Sequence, residues 1–474
     1  MKKTKIICTI SDKTCTKEFI KELFKAGMNI VRINSAHSEI AGAEKILKCV
    51  REVSDKIAIL IDTKGPEIRI NETQPSNGFE ISTNEIISIS GNTDILCRKG
   101  ENSIYKYENK PTETILSTNC KTLFNDVPIG AKILIDDGEI SLSVIDKLDN
   151  IIICKTDNGG RIIGHKSVNI PGVEIDLPSV STRDIMFIKW AIKNDLDFIA
   201  HSFVRDDKDL FPIKKIIDEA QSHIKIISKI ENKSGVKNIE NILNYCYGVM
   251  VARGDLGVEI PAQKIPFIQR EIVDKCRARK KPVIIATQML HSMIEHPRPT
   301  RAEVTDVANA IIQSTDAIML SGETANGKYP IEAVKTMSMI AKEAENNISV
   351  SLNINLKKVT SPIKAVLAKS LVDSTLVLPI KAIFIITESG RTGRYLSEFR
   401  PLVPIYALCL HSHTMRELAM SYDVYPLPAA STDELIAIRS AADKCIQEGK
   451  LKKGDLIGLI GNYGKQPAMS FETI

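Results

Sequence analysis

Short apolar runs recur along the chain. They occupy residues 5–10, 28–34, 57–62, 197–203, 224–230, 247–252, 282–287 and 316–320. Each run is five to seven residues long and almost wholly apolar, which is typical of strands that are covered on both faces. A helical pattern directly follows seven of the eight runs. Eight parallel strands alternating with helices are the number in a closed (β/α)8 barrel, so this α/β fold is predicted.

Local signals also mark helix ends. Residues 16–26 keep their apolar side chains on one stripe, and Gly27 follows as a C-terminal cap. Thr300 and Glu303 have the spacing of a capping box that opens a helix over residues 302–313.

Two further parts of the chain do not follow the strand–helix alternation of the barrel. Between about residues 67 and 170 the helical period is replaced by short alternating runs with turns between them, which predicts a small inserted β-barrel domain. After about residue 346, helices and strands alternate again, which predicts a separate C-terminal α/β domain. The expected division is a barrel of residues 1–66 and 171–345, an insertion of residues 67–170 and a terminal domain of residues 346–474.

Composition excludes several classes of protein. The 474 residues carry 63 Lys and Arg against 58 Asp and Glu, and a formal charge of +5 gives no reason to expect nucleic-acid binding. No apolar run approaches the ~20 residues of a membrane span, and no export signal is visible, so we expect a cytoplasmic protein. None of the 10 cysteines forms a C-x-x-C pair, which argues against zinc or thioredoxin-like chemistry.

Polar residues gather where the predicted barrel strands end, which is the face that holds active sites in this fold. Arg32 and Asn34 share one face of the second strand, because side chains alternate along a strand. Lys229 and Glu231 share one face of the fifth strand for the same reason. The other strand ends supply Asp62, Ser202, Arg205, Asp255, Thr287 and Ser321.

These residues suit phosphoryl transfer. Glu231 and Asp255 provide hard oxygen ligands for Mg²⁺. Arg32 and Lys229 beside such a metal would spread the negative charge that develops when a phosphoryl group moves. The alternative interpretation, a set of salt bridges at the barrel end, is weakened because several polar groups converge on one small mouth.

The same segments resemble pyruvate kinase, and the resemblance spans nearly the whole chain. It rests on residues 3–6 (KTKI), 26–29 (AGMN), 62–69 (DTKGPEIR), 228–232 (SKIEN), 250–257 (MVARGDLG), 286–290 (ATQML) and 319–324 (MLSGET). It implies that phosphoenolpyruvate gives its phosphoryl group to ADP, and that the enolate left behind is protonated to pyruvate.

The resemblance assigns roles to single residues. Lys229 and Thr287 are the expected catalytic residues, the first stabilising charge in the transition state and the second belonging to a proton relay. Mg²⁺ would be held by Glu231 and Asp255. The expected substrate-binding residues are Arg32, Ser202, Lys229, Gly254, Asp255 and Thr287. Nucleotide contacts are implied at Asn34, His37, Arg69 and Lys166, with the last two on a closing lid.

A K⁺ site is also implied, with Asn34, Asp62 and Thr63 as ligands. Ala36 stands where the family has a further serine ligand, and strand alternation predicts that the neighbouring Ser35 points elsewhere. Glu67 is the residue type that accompanies K⁺ dependence in the family. Two other departures are Ser167, in place of a glycine beside Lys166, and Ser11-Asp12, in place of Gly-Pro. They affect ligand affinity and leave the reaction class unchanged.

The terminal domain is expected to be regulatory. A strand there runs into Thr387, Ser389, Gly390, Arg391 and Thr392, where hydroxyls and the first N–H groups of a helix could cradle a phosphate. The family places a sugar-phosphate effector here, so a phosphorylated metabolite is the expected effector. Residues 461–466 replace the family's longer effector loop. Family members are usually homotetramers, and residues 297–301 resemble a segment near a subunit contact.

The same residues allow two other hypotheses. A barrel lyase or aldolase could use Glu231 and Asp255 to stabilise an enolate, but it would need neither Lys229 beside the metal nor the basic lid. A degenerate, non-catalytic paralogue would not be expected to keep the whole catalytic set. ADP-dependent release of pyruvate separates these alternatives from the kinase.

Overall fold

The computed structural model describes residues 2–92, 94–100, 106–107, 110–112, 114–348, 361–463 and 466–474. The expected closed barrel of eight parallel strands is present, and its strands follow one another in chain order. They are Lys5–Thr9, Ile30–Asn34, Ala58–Asp62, Phe198–His201, Lys225–Ile230, Gly248–Ala252, Val283–Ala286 and Ala317–Leu320, referred to below as barrel strands one to eight. Each lies within one of the predicted apolar runs, which extend at most two residues beyond the strand at either end.

Helices cover the outside of this barrel. They are Lys17–Ala26, Ile40–Val53, Thr182–Lys193, Phe211–Glu219, Lys233–Lys237, Ile239–Tyr245, Arg253–Glu259, Ile265–Ala278, Arg301–Ile312, Gly322–Ala325 and Pro330–Asn346, with 3-10 turns at Lys208–Leu210, Ala262–Lys264 and His291–Ile294. The predicted caps are confirmed. Gly27 ends the first helix with φ of 122°, a conformation that favours glycine. Thr300 and Glu303 form the capping box, an arrangement worth about 1 kcal/mol.

The barrel has two apolar layers. One lies between the strands and the helices, and the other fills the barrel interior with side chains such as Leu60, Phe198 and Met250. Ala419 and Met420 of the C-terminal part belong to the inner cluster. The C-terminal domain therefore plugs one end of the barrel.

The inserted segment between barrel strands three and four is a β domain. Its strands are Ile68–Arg69, Thr73–Gln74, Phe79–Ile81, Ile86–Ser90, Cys97–Lys99, Lys106–Tyr107, Lys110–Pro111, Thr114–Ser117, Lys132–Ile135, Ile140–Leu148, Ile151–Thr156, Gly160–Ile162 and Ser167–Asn169, with one short helix at Leu123–Asp126. Nine of these strands form one sheet. The first and last strands of the insertion pair with each other, Ser167 opposite Arg69, so the two connections to the barrel leave side by side.

The C-terminal part holds a five-stranded sheet. In spatial order its strands are Val424–Pro428, Ile405–Cys409, Ile380–Thr387, Leu456–Tyr463 and Gln466–Thr473, and only the last is antiparallel. Its helices are Pro362–Ser374, Arg391–Glu398, Ser412–Leu418 and Glu434–Gln447.

Arginines dock this domain against the barrel. Arg416 lies 2.5 Å from Asp197, just before barrel strand four, and Arg400 lies 2.9 Å from Asp316, just before strand eight. Both aspartates sit at the amino ends of their strands. The domain therefore covers the end of the barrel opposite the polar strand ends.

The structure also bears on the cysteines and on the length of the apolar helices. All ten cysteines are free thiols, and nine of them are buried. No helix among the described residues is both long enough and apolar enough to cross a membrane.

Candidate active site

A chain of alternating charges lies across the carboxyl ends of the barrel strands. Arg32 Nε lies 2.6 Å from Asp62 Oδ2. Lys229 Nζ lies 3.0 Å from Asp62 Oδ1 and 2.9 Å from Glu231 Oε1. The structure thus joins Arg32, Asp62, Lys229 and Glu231, which come from barrel strands two, three and five.

Neighbouring residues fix the orientation of this chain. Thr9 accepts a hydrogen bond from Arg32 at 2.9 Å and donates one to the carbonyl of Leu320 at 3.0 Å, which ties strands one, two and eight together. Ser202 accepts from Lys229 Nζ at 2.7 Å. The Phe203 N–H donates to Glu231 Oε2 at 2.7 Å. Sequence reasoning missed Thr9 and Phe203, although Thr9 ends barrel strand one and could have been found by its position.

The charge states follow from burial and pairing. Burial alone would lower the pKa of Lys229, but the carboxylates of Asp62 and Glu231 raise it above its usual value. Burial would raise the pKa of Asp62, and Lys229 and Arg32 together hold it below its usual value. Burial raises the pKa of Glu231 to about 7, with Lys229 opposing and Asp255 adding to the rise. Lys229 is therefore held as a cation between two acids.

Asp255 and Thr287 complete the barrel side of the mouth. Asp255 lies in the first turn of the helix Arg253–Glu259. Gly254 of the same turn donates its N–H to Thr287 Oγ1 at 2.8 Å, while that hydroxyl donates to the carbonyl of Ala286 at 2.6 Å. Thr287 has φ of 69°, which is rare for a β-branched residue and marks a strained position at a candidate site.

One glycine is required here by close packing. Gly65 has φ of 73°, and a Cβ on it would lie 2.8 Å from the Cβ of Ser202 and 2.9 Å from the Phe203 ring. The turn after barrel strand three therefore passes directly over Ser202. Gly254 is different, because a Cβ there would meet only Thr287 at ordinary contact distance.

The inserted domain faces this mouth. Arg69 and Lys166 from the insertion and Asp255 from the barrel line one cavity of about 540 Å³. Both cations are paired within the insertion: Arg69 with Glu67 at 2.6 Å, and Lys166 with Asp136 at 2.9 Å. His37 is exposed and its N–H donates to the carbonyl of Asn34 at 3.2 Å, but its side chain makes no hydrogen bond or ion pair with Asn34, Arg69 or Lys166 within the described residues.

The predicted K⁺ ligands lie next to one another. Asn34 is opposite Asp62 in the pairing of barrel strands two and three. The hydroxyl of Ser202 lies 3.3 Å from Asp62 Oδ1 and 2.6 Å from the carbonyl oxygen of Thr63. Ser35 has a buried hydroxyl that donates to the backbone carbonyl of Asp62 at 2.7 Å, the oxygen that also accepts the Ser35 N–H, so its direction toward the K⁺ ligands stays a prediction. Strand two ends at Asn34, so strand alternation no longer applies to Ser35.

Two of the residues predicted at the strand ends, Ser321 and Arg205, form no hydrogen bond or ion pair with the chain of alternating charges within the described residues. The hydroxyl of Ser321 makes no hydrogen bond with any described residue, while its N–H donates to Glu323 at 2.7 Å and its carbonyl accepts the N–H of Ala325 at 3.1 Å. Arg205 does not reach the charge chain. Instead it pairs with Asp209 at 2.8 Å and donates to the carbonyls of Ile175 and Leu177, both at 3.0 Å, which anchors the segment returning from the insertion.

The predicted effector loop forms a tight turn. Thr387 Oγ1 accepts the N–H of Gly390 at 3.0 Å, and Gly390 has φ of 70° before the helix that begins at Arg391. Ser389 is exposed and Thr392 is buried. Of the replaced loop at 461–466, residues 464 and 465 lie outside the described residues.

Comparisons with known proteins agree along the chain. The family model for the pyruvate kinase barrel domain matches residues 1–334, and that for the pyruvate kinase alpha/beta domain matches residues 365–473. A pyruvate kinase of Borreliella burgdorferi is 45% identical over 426 residues, which cover 90% of this chain and 86% of that protein. A pyruvate kinase of Clostridium acetobutylicum is 42% identical over 470 residues, which cover 96% of this chain and 95% of that protein.

A solved structure shares the fold. The crystal structure of a pyruvate kinase from Cryptosporidium parvum has a TM-score of 0.92 and 35% sequence identity, and the match covers 100% of this chain and 96% of that one.

Proposed function

The chain belongs to the pyruvate kinase family, and from that premise we propose which of its residues transfer the phosphoryl group of phosphoenolpyruvate to ADP. The observation that carries the proposal is the position of Lys229, a buried cation held between Asp62 and Glu231 at 3.0 and 2.9 Å. A fixed positive charge at this place needs little reorganisation when negative charge develops on a substrate.

Lys229 acts as an electrostatic group rather than a base. Its raised pKa keeps the ammonium protonated at neutral pH, so it stabilises the phosphoryl group in flight and the enolate oxygen that remains. Arg32 binds the phosphate oxygens through its guanidinium group, which Asp62 and Thr9 orient. Ser202 positions the Lys229 ammonium through its hydroxyl.

The carboxylates suit Mg²⁺, which pyruvate kinases generally use together with K⁺. Burial raises the pKa of Glu231, and the negative charge of Asp255 raises it further. The two carboxylates are therefore near enough to repel each other. A divalent cation relieves such repulsion, and we assign Glu231 and Asp255 as its ligands. When bound, Mg²⁺ supplies positive charge that neutralises substrate oxygens. Asn34, Asp62 and Thr63 are the proposed K⁺ ligands, with Ser35 beside them.

Protonation of the enolate is assigned to the part of the barrel mouth that contains Gly254 and Thr287. The Thr287 hydroxyl is held by the N–H of Gly254 and the carbonyl of Ala286, so its direction is fixed. A threonine hydroxyl is too weak an acid to act alone, and we assign Thr287 as a relay between a water molecule and the methylene carbon. Gly254 and Asp255 also bind the substrate through the first turn of their helix.

The nucleotide is proposed to lie under the insertion. Arg69 and Lys166 line the cavity that Asp255 also lines, and their charges suit the phosphates of ADP. Asn34 and His37 are assigned to the same nucleotide from the barrel side. In this proposal residues 67–170 act as the lid, residues 1–66 and 171–345 as the catalytic barrel, and residues 346–474 as the regulatory domain.

The assay that tests this function follows pyruvate release from phosphoenolpyruvate, with ADP, Mg²⁺ and K⁺ each left out in turn. We expect release to require ADP and Mg²⁺ and to produce ATP in equal amount. Release of pyruvate without ADP would instead indicate a barrel lyase. The Lys229→Met variant is the matched blank, because it removes the charge and keeps the length of the side chain.

Assembly, regulation and location are further parts of the proposal. We propose a homotetramer, a phosphorylated effector at residues 387–392, and a cytoplasmic location where phosphoenolpyruvate and ADP are available. Sedimentation at working concentration tests the first of these, and a monomer would contradict it.

A further inference from the structure

One arginine ties the loop after barrel strand two to a helix that lies beyond the insertion in the chain. Arg183 is the second residue of the helix Thr182–Lys193. Its Nε donates to the backbone carbonyl of Ser35 at 2.9 Å, and its Nη2 donates to the backbone carbonyl of Ser38 at 2.6 Å. These two carbonyls lie on either side of His37 in the chain, so one guanidinium group holds both ends of the segment that carries His37.

The loop has few other ties. Among the described residues, the hydrogen bonds that residues 35–39 make with distant parts of the chain go to Asp62 and Arg183 alone. The carbonyl of Asp62 accepts both the N–H and the hydroxyl of Ser35, at 3.0 and 2.7 Å, so it fixes only the start of the loop. Between Ser35 and the helix that begins at Ile40, the position of the loop therefore depends on Arg183.

The start of the helix that carries Arg183 is itself firmly held. Ser181 and Asp184 form a capping box there. Asp184 is buried and also accepts the N–H of Lys64 at 2.8 Å, in the turn after barrel strand three. One helical turn later, the centroid of the buried Phe187 ring lies 5.3 Å from Arg183 Cζ, a distance at which a ring face attracts a cation. The guanidinium group is therefore held in a fixed direction.

The bonds to the carbonyls need the shape of an arginine. A guanidinium group is planar and presents separate N–H groups in a rigid fork, so it can donate to two fixed acceptors at once. A lysine ammonium at the end of a flexible chain cannot reproduce this fork. Arg183 also lies 3.0 Å from the carboxylate of Glu39, but that side chain is 77% exposed, and such ion pairs contribute little. The two carbonyls are therefore the contacts that matter.

We propose that Arg183 is a positioning residue for nucleotide binding, which holds the loop so that Asn34 and His37 are placed to meet ADP. The proposal rests on the proposed function, because the assignment of these two residues to the nucleotide comes from there. Without Arg183 the loop has to be ordered at the moment ADP binds, and that cost lowers the affinity. Lys229 and Arg32 are held by other bonds, so binding of phosphoenolpyruvate is left unchanged.

Isothermal titration calorimetry of the full chain with ADP in the presence of Mg²⁺ tests this role. We expect Arg183→Met to weaken ADP binding at least fivefold, and Arg183→Lys to weaken it by a smaller factor. Lys189→Met removes an equal charge from an exposed lysine of the same helix, and Glu39→Gln removes the exposed ion pair. Both controls should change the affinity less than twofold. Equal ADP affinity in the wild type and Arg183→Met would overturn the proposal.

Steady-state kinetics of the same proteins separate positioning from a merely structural role. We expect the KM for ADP to rise by the factor found in calorimetry, while the KM for phosphoenolpyruvate and kcat change less than about threefold. A lower kcat with an unchanged KM for ADP would show that Arg183 only supports the fold. If Arg183→Met does not fold, Arg183→Lys carries the same comparison, and an ADP affinity and KM equal to the wild type would overturn the proposal.

The two experiments together also distinguish this proposal from the proposed function. A wild type that binds ADP but forms no ATP would contradict the proposed function, while the loss of ADP binding in Arg183→Met would still support the role of Arg183. A wild type that forms ATP, with unaltered ADP binding in Arg183→Met, would overturn the positioning role alone. A wild type that does not bind ADP would contradict both.

Discussion

The hydroxyl of Ser35 donates a hydrogen bond of 2.7 Å to the backbone carbonyl oxygen of Asp62. Ser35 is buried and follows the last residue of barrel strand two, and Asp62 ends barrel strand three. A serine oxygen is therefore available beside the proposed K⁺ ligands, one position earlier than in the family pattern, where Ala36 now stands. The Ser35 hydroxyl thus supports the backbone of one proposed ligand residue, Asp62.

This geometry predicts how activation by K⁺ responds to substitution. We expect the wild type to be activated by K⁺ but to need a several-fold higher concentration than Ala36→Ser, which restores a hydroxyl ligand. Ser35→Ala should raise the concentration needed still further. The K⁺ concentration that gives half-maximal activation is measured for all three proteins from initial rates at saturating substrates. An Ala36→Ser variant with an unchanged or weaker K⁺ response would contradict the prediction.

A second prediction concerns Lys229. Replacing it with methionine removes the cation between Asp62 and Glu231, so kcat should fall by at least about 10³-fold while apparent substrate binding changes little. Arginine should rescue poorly, because its planar group cannot act as a point charge among three oxygens. Steady-state kinetics of Lys229→Met, Lys229→Arg and the exposed control Lys48→Met make the comparison. A change confined to KM would show that Lys229 only binds substrate.

The barrel could be predicted from the sequence because each strand is a short run of buried apolar residues, and the site because polar residues follow these runs. The ion pairs that connect the site residues could not be predicted from the sequence. Asp62 joins Arg32 to Lys229 across strands that lie far apart in the chain, and only the register of the closed barrel brings them together. Asp62 was therefore predicted only as a K⁺ ligand.

Some strands of the other two domains carry no clear signal in the sequence, each for a physical reason. Ile68–Arg69 and Ser167–Asn169 are too short to show a period. Val424–Pro428 contains two prolines, which usually argue against a strand, and it is tolerated because it lies at the edge of its sheet. Edge position also explains Gln466–Thr473, whose residues are mostly half-buried or exposed.

A third prediction concerns the pH dependence of stability at Asp423, which lies 3.3 Å from Lys3. Burial raises the pKa of Asp423 to about 6, although Lys3 and Lys5 oppose the rise. The unfolded chain has the ordinary value of about 3.9, so the folded state binds more protons between these two values. Stability contributed by this group is therefore lost as the pH rises from about 4 through 6, by up to about 3 kcal/mol, and the loss is complete about one pH unit above the folded pKa.

Asp423→Asn removes this titration. Urea unfolding of both proteins at pH 4, 5, 6 and 7 should show the variant gaining stability relative to the wild type, mostly between pH 4 and 6, with only a small further gain between pH 6 and 7 as the titration of Asp423 is completed. A difference between the two proteins that stays constant from pH 4 to 7 would show that Asp423 does not titrate in this interval.

The last prediction concerns the loop at residues 387–392. Thr387 already accepts the N–H of Gly390, so its hydroxyl shapes the turn, while Ser389 is exposed and free to meet a ligand at the start of the helix that begins with Arg391. A phosphate here would accept hydrogen bonds from hydroxyls and from the first N–H groups of the helix. We expect a phosphorylated metabolite to shift the phosphoenolpyruvate saturation curve to lower concentration, because an activator binds the substrate-competent state more tightly. Ser389→Ala combined with Thr392→Ala should abolish that shift, whereas Ser412→Ala, at the start of a neighbouring helix, should retain it. The measurement is the saturation curve with and without each member of a panel of sugar phosphates and AMP, and a wild-type curve that none of them moves would refute the assignment.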